Sequence, residues 1–107
     1  MGAKENSVQN VILDYLFYRG HFAKRVNTGG VPVWDKNKKF KCFRPSPNKG
    51  IPDIIGCTKE GKMIACEIKA KGGRISEEQQ NFINEVIKRK GIGIIAYSIE
   101  DLIKAGL

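Results

Sequence analysis

The stretch IPDIIGCTKEGKMIACEIKA, residues 51–70, reads as two β-type segments, 51–57 and 62–70, joined by the turn residues Thr58, Lys59, Glu60 and Gly61. Two such runs around a short polar, glycine-containing turn predict a β-hairpin. With Glu60 at the centre, antiparallel partners sum to about 120 in residue number, which sets Asp53 opposite Glu67. Side chains alternate along a strand, so Glu67 and Lys69 share one face while Ile64, Cys66 and Ile68 take the other. Asp53, Glu67 and Lys69 therefore converge on one spot.

Two carboxylates held close together repel unless a cation lies between them, and hard oxygen ligands at that spacing suit Mg²⁺ or Mn²⁺. Such a cation stabilises charge on a phosphate and lowers the pKa of a bound water, and a neighbouring ammonium can position that water or neutralise the transition state. These groups make up the inventory for phosphodiester hydrolysis. A bare D-x₁₃-E-x-K spacing is also compatible with a turn aspartate after Pro52 and two charges on the solvent face of an edge strand. The rest of the chain has to decide between them.

Upstream, Val8, Val11, Ile12, Tyr15 and Leu16 recur at helical spacing within residues 5–19, and Gly20 supplies a stop. Residues 22–27 read as a short strand that enters a glycine-, proline- and lysine-rich stretch, 28–49, a functional loop or an irregular hairpin. Downstream, Gly72 and Gly73 break the chain, and Ser76-Glu77-Glu78-Gln79 has the form of a capping box. It opens a second helix with Phe82, Ile83, Val86 and Ile87 on one face, running to about Lys90. Residues 92–97 form a continuous apolar run, as for a strand covered on both faces, and Ser98 can cap a last helix through Leu102 and Ile103. The expected order is α-β-β-β-α-β-α. A mixed β-sheet flanked by helices, in one α/β domain over residues 1–107, is the simplest way to bury these faces.

The net charge is +8, and its placement is uneven. Lys24, Arg25, Lys36, Lys38, Lys39, Lys41, Arg44 and Lys49 stand against the single acid Asp35 between residues 24 and 49. A concentrated basic surface attracts a nucleic-acid backbone by displacing its counterions, although a solvated lysine loop has the same composition. Trp34, Phe40 and Phe43 are interleaved with these lysines. They either stack on exposed bases near a branch point or pack the loop onto the core. The three cysteines, Cys42, Cys57 and Cys66, lack metal-binding spacing, and Cys57 and Cys66 lie in apolar segments. His21 has no acid or cysteine neighbour and reads as a surface or packing residue. Residues 1–9 carry no apolar leader core, and no apolar run is long enough to span a bilayer, so a cytoplasmic protein without membrane contact is expected.

Taken in order, Glu5 and Gln9, Arg25-Val26-Asn27, Gly50-Ile51-Pro52-Asp53-Ile54-Ile55-Gly56, Glu67-Ile68-Lys69-Ala70-Lys71-Gly72-Gly73-Arg74-Ile75-Ser76 and Gln79, and the Gly91 strand resemble one family throughout the chain. That family is the VRR-NUC (virus-type replication-repair nuclease) branch of the PD-(D/E)xK nucleases. The resemblance implies a restriction-endonuclease-like, Holliday-junction-resolvase-like core. It implies that Asp53 and Glu67 bind the metal with help from the Ile68 carbonyl, and that Lys69 is the catalytic lysine. Glu5 matches the family's first-helix acid, or is a helix-terminal carboxylate stabilised by the macrodipole. Gln79 matches the family glutamine and also fills the third position of the capping box. Arg25 and Asn27 fall on family positions that could touch phosphate, or are ordinary surface residues. Lys36, Lys38, Lys39, Lys41, Arg44, Lys49, Lys71 and Arg74 complete the expected nucleic-acid surface.

The expectation is a Mg²⁺- or Mn²⁺-dependent, structure-selective DNA endonuclease acting at branched DNA such as Holliday junctions. A homodimer is expected, since a symmetric junction offers two cleavage sites and Leu13 and Phe17 lie beside the inner face of the first helix. The alternative from another class is a non-catalytic nucleic-acid-binding module of the same fold, which would place no demand on Asp53, Glu67 and Lys69 together. A small basic RNA-associated protein would explain the charge but not that constellation.

Overall fold

The computed structural model describes residues 3–26, 31–44 and 49–107, with the side chains of 3–6, 31, 43 and 44 outside that description. The elements are α1 (Ala3–Tyr18), β1 (Phe22–Arg25), β2 (Val31–Trp34), β3 (Phe40–Arg44), β4 (Ile54–Cys57), β5 (Met63–Ile68), α2 (Glu77–Lys88), β6 (Ile92–Ala96) and α3 (Ile99–Lys104). The fold is mixed α/β, but its order differs from the expected one by two strands. Part of the basic segment folds as the hairpin β2–β3, with a register irregularity between Val33 and Trp34, and forms a two-stranded sheet of its own. Of the two readings left open for residues 28–49, the irregular hairpin holds over 31–44.

The main sheet has the order β1-β4-β5-β6. β1 and β4, and β4 and β5, are antiparallel, while β5 and β6 are parallel. The β4–β5 register pairs Ile54 with Cys66 and Cys57 with Met63, as the turn centred on Glu60 requires. Its turn is closed by Thr58: the Thr58 amide donates to the Lys62 carbonyl at 2.7 Å, and Thr58 Oγ1 accepts from the Lys62 amide at 3.0 Å. Gly61 takes φ +93°, a left-handed conformation that a Cβ would disfavour.

Alternation on these strands sorts the core onto two faces. Ile54, Ile64, Cys66, Ile68, Ile94 and Ala96 face α1 and α3, where Ile12, Leu16 and Leu102 meet them. Ala65 faces α2, against Ile83 and Val86. Each fully buried isoleucine contributes on the order of 1.5–3 kcal/mol by leaving water, so truncation of Ile54 or Ile64 would remove a large share of a small domain's stability. Gly93 lets α2 approach β6 closely, since a Cβ there would lie 2.8 Å from the Ile83 carbonyl oxygen.

The helix faces are narrower than the apolar pattern suggests. On α1 the inner stripe is Val8, Ile12 and Leu16 with Tyr15, together with a fully buried Gln9. Val11 lies on its flank and is 49 % exposed, and Ile87 of α2 is likewise outside, both against expectation. Leu13 joins the margin of the core, leaving Phe17 and Tyr18 each 83 % exposed at the end of α1. His21 is a packing residue: its Nδ1 accepts from the Lys59 amide at 3.1 Å, tying the α1–β1 turn to the hairpin turn. Among the described residues no helix is long and apolar enough to cross a membrane.

Candidate metal and active site

Asp53 precedes β4 and is held from two sides. Its backbone carbonyl accepts from the Val26 amide at 2.7 Å, and its Oδ2 accepts from the Ile68 amide at 2.9 Å. Gly50 makes this approach possible: at φ +86° it passes beneath α2, where a Cβ would lie 2.7 Å from the Glu78 carbonyl oxygen. The buried Pro52 then fixes the chain direction just before the aspartate. Ile68, expected to offer its carbonyl, is seen here to orient Asp53 through its amide.

Glu67 lies on the inner strand β5, on the face turned toward α2, and is 3 % exposed. Its Oε1 accepts from Gln79 Nε2 at 3.0 Å and lies 3.8 Å from Lys69 Nζ. Its Oε2 is buried and has no hydrogen-bond partner among the described residues. Burial first, and the neighbouring Asp53 carboxylate second, push the Glu67 carboxyl up to about 8, with Lys69 acting in the opposite direction. Lys69 is mostly covered, and its amide donates to the Ala96 carbonyl at 3.0 Å, extending the β5–β6 pairing up to the site. The structure thus brings Asp53, Glu67, Lys69 and Gln79 together. The adjacent Cys66 points the other way, into the core, where burial and then Asp53 push its thiol up to about 12. It is an inert packing residue.

Gln79 both completes the helix cap and contacts Glu67. Its backbone amide donates to Ser76 Oγ at 3.1 Å, and its Oε1 accepts from the Ser76 amide at 2.9 Å, completing the capping box of α2. The same amide side chain then has only its NH₂ end left, and that end meets Glu67. The cap therefore sets the polarity of the contact. The S-x-x-Q spacing in the sequence marks the cap, but the reach to Glu67 needs α2 to lie over β5, and so Ser76 was not singled out as a residue of the site.

A buried, unsatisfied carboxylate oxygen beside a second carboxylate suits a divalent cation held by few protein ligands, with water or phosphate oxygens completing its shell. Among the described residues no group of three or more His, Cys, Asp or Glu side chains gathers, so the donor set here is the pair Asp53 and Glu67. Glu5 is on α1, but its side chain lies outside the described residues.

The expected nucleic-acid residues divide differently. Arg25 pairs with Ile54 in the β1–β4 ladder, and its guanidinium donates to Asn10 Oδ1 on α1. It belongs to the α1 side of the sheet, away from the face that carries Glu67. Asn27 lies outside the described residues, as does the side chain of Arg44. Lys36, Lys38, Lys39 and Lys41 are exposed on the β2–β3 hairpin, Lys49 is exposed beside Gly50, and Lys71 and Arg74 are exposed in the connection from β5 to α2. That connection begins at Lys69 and ends at the Ser76 cap. An apolar groove of about 640 Å³ lined by Met63, Phe82 and Val86 lies elsewhere on α2 and includes none of the site residues.

Comparison with curated proteins and with solved structures finds no match. A family model does match, that of the VRR-NUC domain, over residues 3–99. Nearly the whole chain is covered, including both carboxylates, the lysine and the capped glutamine, and the chain belongs to the VRR-NUC domain family, a nuclease-type domain of nucleic-acid processing.

Proposed function

We propose that this protein is a divalent-cation-dependent endonuclease that hydrolyses phosphodiester bonds in DNA, with the PD-(D/E)xK type of centre. The observation that carries the proposal is the Glu67 carboxyl, which lies beside Asp53: one oxygen meets Gln79 and Lys69, and the other is buried with no donor against it among the described residues. A purely DNA-binding module would place no demand on a buried carboxyl with one oxygen lacking a donor, whose burial costs stability.

In this reading Asp53 and Glu67 would hold Mg²⁺ or Mn²⁺, with the Ile68 carbonyl as a further ligand. A cation bound there would supply Lewis-acid stabilisation of the phosphate and an acidified water. Gln79 fixes which Glu67 oxygen is available. Lys69 presents its ammonium on the same face, where it orients the attacking water or neutralises the charge that develops on the phosphate. The lysines of the β2–β3 hairpin and of the β5–α2 connection draw in the backbone.

The preferred substrate in this proposal is branched DNA such as a Holliday junction, and the protein works in the cytoplasm as a homodimer that places two sites on one junction. Phe17, Tyr18 and Phe22, all largely exposed around the α1–β1 turn, supply an apolar surface for pairing. The test is incubation with Mg²⁺ or Mn²⁺ and a panel of four-way junction, flap, nicked, duplex and single-stranded DNA, with Asp53→Ala as control. Metal-dependent cleavage lost in the control is expected. Cleavage that survives in EDTA or in Asp53→Ala would sink the assignment. Sedimentation equilibrium showing only an 11.9 kDa species, free and with junction DNA, would remove the dimer.

A further inference from the structure

The β2–β3 hairpin holds more than positive charge. Trp34 and Phe40 are cross-strand partners whose ring centroids lie 5.9 Å apart at an interplanar angle of 79°. An edge-to-face pair of this kind clasps a ribbon, and a two-stranded ribbon on its own needs such a clasp. Yet Trp34 remains 59 % exposed and Phe40 51 % exposed, and neither ring belongs to either core cluster. An edge-to-face pair leaves ring surface turned outward, and the exposure of both rings sets that surface in solvent.

The turn beside the pair is fixed by hydrogen bonds. Asp35 Oδ1 accepts from the amides of Asn37 and Lys39 at 2.8 and 2.9 Å, the Asp35 amide donates to the Lys39 carbonyl at 2.9 Å, and Lys38 holds φ +62°. Lys36, Lys38, Lys39 and Lys41 are therefore displayed by an ordered turn that adjoins the aromatic pair in sequence and in space. An exposed ring surface among lysines is complementary to one kind of polymer, a strand with negatively charged phosphates and uncovered base faces. Within continuous duplex those faces are occupied by neighbouring bases.

We propose that the Trp34–Phe40 hairpin is a stacking platform for unpaired bases, so that the protein prefers nucleic acid with single-stranded or splayed segments over uninterrupted duplex. The inference rests on the nucleic-acid reading of the domain but not on the carboxylate chemistry, and it gives the preference for branched substrates a physical origin. Base–aromatic stacking adds to affinity without adding counterion release, so its loss lowers affinity at constant salt dependence.

Trp34 is the single tryptophan of the chain, so its fluorescence reports from the platform itself. The full chain, in EDTA to prevent cleavage, is titrated with oligo-dT, with a blunt-ended linear DNA duplex of equal phosphate number, and with polyglutamate. Oligo-dT should quench Trp34 strongly, and the duplex and polyglutamate weakly. Trp34→Leu should bind oligo-dT roughly tenfold or more weaker with an unchanged salt slope and unchanged duplex affinity, while Trp34→Phe keeps most of the binding. Equal quenching by duplex, stronger quenching by polyglutamate, or wild-type oligo-dT affinity in Trp34→Leu would each overturn the proposal while leaving the nuclease reading intact. Failure to bind either DNA would remove both.

Discussion

Glu67 is 3 % exposed on an inner strand and gripped from α2, whereas Lys36, Lys38 and Lys39 stand in solvent on a ribbon that pairs with no strand of the main sheet. The carboxylate is placed by long-range packing: β5 against β4 and β6, with α2 laid across. The lysines are placed by local means alone, an aspartate accepting two amides and one aromatic pair. A carboxylate whose position is fixed by packing and by Gln79 is built into the sheet, and charges that act through a field are carried on a locally closed hairpin. Changes in the first region should alter rate, and changes in the second should alter affinity.

The largest effects belong to the sheet. Asp53→Ala and Glu67→Ala should abolish cleavage while leaving DNA binding within about twofold, because the basic surface is untouched. Wild-type cleavage in either variant would break the contrast. Lys69→Ala should cost about two orders of magnitude or more in cleavage rate, typical of one lost transition-state contact, and a loss below about threefold would demote it to a surface residue. Neutralising Lys36, Lys38, Lys39 and Lys41 together should flatten the dependence of log affinity on log salt by roughly 3 units, from 0.7–0.9 per phosphate contact. Cleavage at saturating DNA should stay near wild type, and an unchanged slope would place the DNA surface elsewhere.

Gln79→Glu makes a finer cut. Glutamate serves the capping box as well as glutamine does, so α2 should stay folded by circular dichroism. It would, however, set an acceptor against Glu67 in place of a donor. Calorimetric Mn²⁺ affinity should change and cleavage should fall by about tenfold or more, the loss expected from one positioning hydrogen bond. Unchanged metal binding and rate would make Gln79 a cap only.

The smallest effect is in stability. The Glu67 carboxyl is held at about 8 in the fold, above its ordinary value of 4.5, by burial and Asp53. Below the ordinary value both states keep the proton. As pH rises toward 8 the unfolded chain releases it and the fold does not, so the metal-free protein loses stability across that window and no further above it. Glu67→Gln should therefore raise the melting temperature in EDTA at high pH by at least roughly 5 °C, the yield of about 1 kcal/mol in a domain of this size, with little change near pH 4. Added Mn²⁺ should close the gap by stabilising the wild type alone.

The β4–β5 register was legible because a four-residue turn leaves one plausible pairing, and from it the meeting of Asp53, Glu67 and Lys69 followed. No short turn links β1 to β4, and so the side of the sheet taken by Arg25 could not be read from strand alternation. The two added strands were hidden because glycine, proline and lysine are common to loops and hairpins alike, while the Asp35 turn that closes this one is a matter of backbone geometry. Gln79 looked like a choice between two roles because sequence treats a side chain as one label, while an amide has two ends. On α1 and α2, apolar spacing marks the inner stripe but not its width, which left Val11 and Ile87 on the wrong side of the line.

The parallel pairing of β5 with β6 carries a consequence for how the chain comes to life. Parallel neighbours need a crossover, and here the crossover is α2, which brings Gln79 to Glu67. The antiparallel hairpin is a local pairing, whereas the oriented carboxylate requires the helix docked and the last strand paired, contacts between distant parts of the chain. A chain in which α2 has not docked carries the acids and the lysines without the Gln79 contact that orients Glu67.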